Sequence, residues 1–255
     1  MKKKKPQKIS IKNHFRKLIF FNFHRFKKDN YRVMREYFAQ VFLVDIEKFI
    51  ALQNKNILDI GGAEGEFCKF IADNRKCYPI NLDPFPKKPI WKKTIKGYGH
   101  DLPFNKEKFD IVLCRGVFEH IPYDKEQKTL NESFRVLKEG GYGYFVVPPW
   151  YNPHAGHSFK PFHIFPFKIG KFLRELVFRE KVDRALFTNK KIKGNCYEDY
   201  LIYKVTFSGM QRMLQKAGFE IVDTLDTHFR LHFMTKIPLL QEILVPAVAF
   251  IVRKP

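Results

Sequence analysis

Three aspartates stand where short apolar runs give way to a turn: Asp59, Asp83 and Asp101. The first lies in Asn56-Ile-Leu-Asp59-Ile-Gly61-Gly62-Ala63-Glu64-Gly65-Glu66-Phe67, an apolar run, a glycine turn and the opening of a helical pattern. Glycine lets the backbone turn tightly and approach a ligand with no Cβ in the way. The second closes Asn81-Leu82-Asp83, where a carboxylate can accept hydrogen bonds from ribose hydroxyls. The third falls in Gly99-His100-Asp101-Leu102-Pro103-Phe104. On residues alone this chemistry serves any adenosine-bearing cofactor, and a pyrophosphate-binding loop would look the same.

A second concentration of reactive groups follows the apolar run at residues 142–147. It reads Pro148-Pro149-Trp150-Tyr151-Asn152-Pro153-His154-Ala155-Gly156-His157-Ser158-Phe159-Lys160-Pro161-Phe162-His163. Histidine is the usual group for removing a proton from an alcohol or phenol. His157 is the first candidate for such a base, with His154 and His163 next, and for each a structural or surface role stands beside the catalytic one. His120 reads as a packing or hydrogen-bonding residue beneath the cofactor. The H-x2-H-x5-H spacing of the three also raises a metal site. No cysteine pair or acidic ligand follows at a known spacing, so no metal is expected.

The elements that must position these groups alternate. Residues 56–60, 77–82, 109–114 and 142–147 read as strands, with a helix at 64–72 between the first two; this is the pattern of βα units on a parallel sheet. A helix at 206–216 and strands at 219–225 and 247–252 follow. Sites in such folds lie at strand C-termini, which is where the aspartates and the histidine segment fall. A helix is expected over residues 31–52. The stretch from about 150 to 203 breaks the alternation and is too long for an ordinary loop, so an insertion with its own structure is expected, roofing the acceptor pocket.

The ordered set Asp59…Gly65, Asp83, Asp101-Leu102, 109–114, Glu119-His120-Ile121-Pro122 and Phe134-Arg-Val-Leu-Lys-Glu-Gly140-Gly141 resembles the class I methyltransferases, particularly the group called type 11. The resemblance covers residues 56 to 147. It implies a Rossmann-like, doubly wound α/β fold, its seven-stranded, mostly parallel sheet carrying an antiparallel C-terminal strand. To this are added a helical N-terminal extension (1–52) and the insertion within a 53–255 domain. It implies S-adenosyl-L-methionine as cofactor. Asp59, Gly61, Gly62 and Gly65 would shape the loop around the methionine part, and Asp83 would bind the ribose. Asp101 would take the adenine amino group with Leu102 beside the ring, and Arg115 and Gly116 would line the floor near the sulfonium. One departure is Ala63, where the family has its middle glycine. More loosely, the histidine segment is similar to type 11 enzymes associated with bacterial glycan assembly.

Charge bears on the partner. The chain has 255 residues and a net charge of +21, which fits nucleic acid, anionic lipid or a phosphorylated substrate, and equally a solvated lysine-rich surface. Residues 1–35 carry about a dozen Lys and Arg with Asp29 as the only acid. Phe15, Ile19, Phe23 and Phe26 would share one helical face, able to lie on an anionic membrane or to cover the mouth of the domain. Four scattered cysteines without a CxxC pair suit reduced thiols and a cytoplasmic location.

The acceptor expected is therefore a hydroxyl of a glycan or lipid-linked sugar. RNA, a small lipid or quinone, and a non-catalytic cofactor-binding scaffold are the alternatives. Nucleic acid is the weaker of these: Pro148-Pro149-Trp150 lacks the Asp or Asn of the amino-adenine methylation motif, having Val147 there, and no RNA-binding module is recognisable.

Overall fold

The computed structural model describes residues 9–24, 30–184 and 191–255. Seven strands, β1 (Asn56–Ile60), β2 (Tyr78–Asp83), β3 (Thr94–Lys96), β4 (Phe109–Arg115), β5 (Leu137–Val147), β6 (Glu220–Asp226) and β7 (Val248–Arg253), form one sheet. Their order is β3-β2-β1-β4-β5-β7-β6. Every pairing is parallel except those of β7, which runs antiparallel to β5 and β6. The order reverses between β1 and β4, and it is at such a switch point that α/β sheets open a crevice for a ligand.

The two faces follow from side-chain alternation. Leu58, Ile60, Val112, Cys114, Phe145 and Phe250 point to one side and pack with Leu130 and Val136 of α4 (Tyr123–Val136) and Met210 and Leu214 of α6 (Phe207–Lys216). Ile57, Ile111, Leu113, Tyr144 and Ile251 point to the other and pack with Phe42 and Ile46 of α2 (Asn30–Ile46) and Phe67 and Ile71 of α3 (Glu66–Arg75). Strands buried on both faces read as continuous apolar runs, which is why they stand out in the sequence.

Two elements do not. β3 is three residues long in a lysine-rich stretch, too short to show a period. The helix α4 has a mean composition dominated by polar residues, its buried face built partly from Glu126, Thr129 and Ser133. The second helix also ends at Ile46 rather than near residue 52. Leu52 is still buried, but it reaches the core from a turn.

The helix α1 (Ile11–His24) docks on α2 through a polar contact as well as apolar ones. The His14 ring donates from Nε2 to the His228 carbonyl and accepts at Nδ1 from the Tyr37 hydroxyl at 2.6 Å. Phe21 is buried against Tyr37 and Val41; of the expected face, Phe15 is half-buried and stacks on Phe229 at 5.8 Å, whereas Ile19 is 61% exposed. The Phe23 side chain and Phe26 lie outside the described residues.

The insertion has its own small core of Trp150, Phe159, Val182, Tyr197, Tyr200 and Ile202. It carries α5 (Phe167–Phe178). A last short helix, α7 (Leu240–Ile243), precedes β7.

One buried ion pair locks α2 to the β6–β7 connection. Arg230 donates from both terminal nitrogens to the two Asp45 oxygens at 2.7 Å each, and Asp45 also accepts from the Tyr144 hydroxyl at 3.3 Å. Removing Arg230 would leave the buried Asp45 carboxylate with only the Tyr144 hydroxyl and the half-exposed Lys48 ammonium at 3.5 Å. Arg230→Ala is therefore expected to lower stability by about 3–5 kcal/mol. Lys69→Ala, which breaks only the exposed pair with Asp73, should cost about 0.5 kcal/mol or less. Urea unfolding midpoints of the two variants check the contrast.

Candidate active site

The site begins where β1 ends. Asp59 is buried, and the paired register of β1 and β2 sets it beside Asn81. A Cβ on Gly62 would fall 2.1 Å from Asn81 Oδ1 and 2.6 Å from Asp59 Oδ2, so only glycine fits. Gly61 and Gly65 take left-handed backbone at φ +73° and +84°.

Ala63 is also left-handed, at φ +52°, a conformation costing an L-residue roughly 1–2 kcal/mol. Two hydrogen bonds offset that cost. The Ala63 N–H donates to Asp83 Oδ2 at 2.9 Å, and its carbonyl accepts from Asn81 Nδ2 at 2.9 Å. The alanine departure is thus absorbed by the second strand. Asp83 Oδ1 accepts from the Phe85 N–H at 2.7 Å. An ionised carboxylate offers about four lone-pair sites, which leaves room for ribose hydroxyls.

Burial pushes the Asp59 carboxyl up, opposed by the nearby Arg115 and Arg35 guanidiniums. Burial likewise pulls Arg115 down to about 10, against the attraction of Asp59. Arg115 stacks 3.6 Å over the Phe67 ring, and its Nε has no hydrogen-bond partner. Arg35, on α2, donates to the Gly62 carbonyl at 3.0 Å and pairs with Glu66 at 3.2 Å.

Asp101 is exposed, with its N–H donating to the Tyr98 carbonyl. The Leu102 side chain is built into the main core, and its N–H donates to Glu132 at 3.0 Å. The exposed rings on this side are Phe85 and Tyr98, set edge-to-face at 6.3 Å. Sequence reasoning passed over both, because two aromatics thirteen residues apart in a lysine-rich loop carry no period.

The second half of the site is contiguous with the first. A Cβ on Gly61 would fall 2.3 Å from Cγ2 of Val117, on the turn that follows β4 and Gly116. That turn continues into a 3-10 segment, Phe118–His120. Glu119 Oε1 lies 3.9 Å from His157 Nε2, and the His120 and His157 rings are 4.6 Å apart. Burial works to raise the Glu119 carboxyl, but the imidazoles of His157 and His120 beside it prevail and hold it below its ordinary value. Burial depresses His120, whose Nδ1 donates to the Leu201 carbonyl at 2.7 Å. The insertion is stitched to this turn by the Tyr203 N–H, which donates to the Glu119 carbonyl at 2.8 Å.

Of the three histidines singled out by sequence, only His157 joins this cluster. His163 is buried in the insertion, its Nε2 donating to the Trp150 carbonyl at 2.7 Å and its ring against the indole. Its place is beneath the Gly156 turn, where a Cβ on Gly156 would overlap the imidazole. His154 is exposed, and its N–H donates to Asn152 Oδ1. Glu119, Asn81 and Arg35 had no assigned role in the sequence reading. The Glu119-His120 pair was visible there, but its meeting with His157 across 37 residues was not.

A methyltransferase domain model matches residues 28–224, so the chain belongs to that family. It is 29% identical over 128 residues to an uncharacterized methyltransferase of Mycobacteroides abscessus, covering 46% of this chain and 48% of that one. It is 32% identical over 111 residues to an uncharacterized protein of Methanocaldococcus jannaschii, covering 43% and 48% respectively. The match thus spans about half the length of these curated relatives. Among solved structures, a chain of the complex between the Haloferax volcanii Trm112 methyltransferase activator and a methyltransferase superposes with a TM-score of 0.58 at 14% identity, covering 92% of this chain and 97% of that one. An S-adenosylmethionine dependent methyltransferase from Listeria monocytogenes gives 0.53 at 15% identity, covering 85% and 98%. These likenesses show the fold, and the cofactor that this family's fold is built to hold is S-adenosylmethionine.

The residues fit that cofactor better than a dinucleotide. The N–H groups of Gly61, Ala63 and Gly65 are engaged by Leu82, Asp83 and Gly62, so they do not cradle a diphosphate. A buried carboxyl faces the turn instead, with the Arg115 and Arg35 guanidiniums beside it. Gly62→Ala and Asp83→Ala are each expected to abolish S-adenosylmethionine binding while the fold persists; calorimetric titration beside far-UV dichroism checks both.

Proposed function

We propose that this chain transfers a methyl group from S-adenosylmethionine to a hydroxyl of a glycan or lipid-linked sugar. The observation that carries the reading is the contact of Gly61 with Val117, which sets the cofactor loop directly against the turn bearing Glu119 and His120. The cofactor supplies an electrophilic methyl on a sulfonium. Asp59 holds negative charge beside its methionine part, Asp83 receives the ribose hydroxyls, and Phe85 and Tyr98 flank the adenine near Asp101. An acceptor between the loop and the insertion is held for in-line attack, and positioning supplies much of the acceleration.

A hydroxyl acceptor must also lose its proton. His157 is 37% exposed beside Glu119, and it takes that proton at Nε2. Glu119 then stabilises the imidazolium beside it.

The helix α5 supports an acceptor held at a membrane. Ile169, Phe172 and Leu176 share one face of it, Phe172 being 63% and Leu176 60% exposed, with Phe165 one turn earlier. Exposed Lys168, Arg179 and Lys181 surround them. An apolar face framed by cations is the composition of a helix lying in an anionic headgroup layer. No helix among the described residues is long and apolar enough to cross a membrane. The basic α1, with exposed Ile19 and Phe20, offers a second peripheral contact. The four thiols are free, which suits the cytoplasmic side of that membrane.

His157→Ala is expected to leave cofactor binding intact and to slow turnover by about 10²–10⁴-fold. Single-turnover kinetics with radiolabelled cofactor measure it, and label in fractionated lipid and glycan pools, not RNA, identifies the acceptor class. Phe172→Glu with Leu176→Glu should abolish sedimentation with vesicles rich in phosphatidylglycerol. Sedimentation equal to that of the unaltered chain would remove the membrane contact at α5.

A further inference from the structure

We propose that Glu119, His120 and His157 form a binding site for one divalent transition-metal ion at the acceptor end of the sheet. Each offers one ligand atom, and these atoms all lie within 4.8 Å of one another, the sole such three-residue group among the described residues. A first-row ion holds nitrogen and oxygen donors at about 2.0–2.2 Å, so the donors of a tetrahedral site stand about 3.4 Å apart. Closing the cluster on an ion therefore draws a donor pair together by at most about 1.4 Å, within the reach of side-chain rotation.

Two independent observations point to an occupant. Glu119 is only 7% exposed, and its Oε2 has no hydrogen-bond partner. A buried carboxylate oxygen left without a donor is destabilising, and a bound cation removes that deficit. The second observation is the orientation of His120. A carbonyl can only accept, so the Nδ1–H bond to Leu201 O fixes the tautomer and leaves Nε2 with the lone pair. Metal-ligating histidines are held in this way, the other ring nitrogen donating to a carbonyl or carboxylate.

Two imidazoles and one carboxylate are borderline donors. They suit Zn²⁺, Co²⁺, Fe²⁺ or Mn²⁺ better than Mg²⁺ or Ca²⁺, which take oxygen ligands. Three protein ligands leave coordination positions open, the arrangement of a reactive ion rather than a structural one. A hydroxyl oxygen in an open position would be acidified by the ion. His157 would then serve as a ligand, and removal of the acceptor's proton would no longer fall to it. The site goes beyond the methyl-transfer reading and does not depend on it, since an ion binds or fails to bind without donor or acceptor.

The test uses the full chain stripped with a chelator and titrated with Co²⁺ or Zn²⁺ alone, by calorimetry and by equilibrium dialysis with elemental analysis. One ion per chain is expected, with Co²⁺ showing visible d–d bands and no thiolate charge-transfer band. Glu119→Gln, His120→Ala and His157→Ala should each weaken binding at least tenfold, because even the outer partners of metal ligands are worth about 10–100-fold. His154→Ala should retain the ion. S-adenosylmethionine titration of every variant reports whether the fold and the cofactor loop are intact. Substoichiometric binding, equal loss in His154→Ala, or unchanged affinity in Glu119→Gln with an intact cofactor site would each overturn the proposal. Failure of cofactor binding with one ion still held would instead overturn the methyl-transfer reading alone.

Discussion

Between the first two strands there is no space for a single methyl group at residue 62, and the site depends on that tightness. The parallel register puts Asp59 level with Asn81. Asp83, two residues further along the same strand, falls on the same side. The glycine turn can close over Asp59 only by running its backbone against Asn81. Once there, it is gripped through Ala63 by the amide of Asn81 and the carboxylate of Asp83. One set of contacts therefore fixes the turn, orients the Asp83 carboxylate and seals Asp59 from water. The turn is also fixed from the other side, where Gly61 abuts Val117 and carries the geometry on to Glu119 and His120.

The electrostatics of this region run against those of the molecule. The chain carries +21, yet the site holds two buried carboxyl groups, Asp59 beside the Arg115 and Arg35 guanidiniums and Glu119 beside the His157 and His120 imidazoles. Charges exposed on the surface are screened beyond about 8 Å at physiological salt, whereas buried ones are screened far less. Each buried carboxyl is thus matched by basic groups, guanidiniums at the cofactor loop and imidazoles at the insertion. The excess positive charge lies with the lysine-rich exterior.

Much of this was legible in the sequence where local rules and tertiary structure agree. The buried strands announce themselves as apolar runs, and the glycines of the β1 turn sit where the backbone needs them. Asp59 and Asp83 could be placed at strand ends because a parallel sheet puts those ends together. Legibility failed where the deciding partner is remote. Glu119-His120 is an unremarkable dipeptide until the insertion brings His157 onto it, and His163 looks equivalent to His157 until Trp150 closes over it. Leu102 reads as open to a ring, but its side chain belongs to the core. Helix α1 follows a similar logic: its buried histidine finds a carbonyl at residue 228, which no local period foretells.

The reach of Arg35 to the Gly62 carbonyl gives the N-terminal region a role that its basic composition conceals. A fragment beginning at β1 would keep every strand and every aspartate of the site, yet the turn would lose the guanidinium that braces it from behind. Helix α2 is in that sense part of the glycine turn's support, though it contributes no strand to the sheet. The front of the chain thereby sets how rigidly that turn is held from behind.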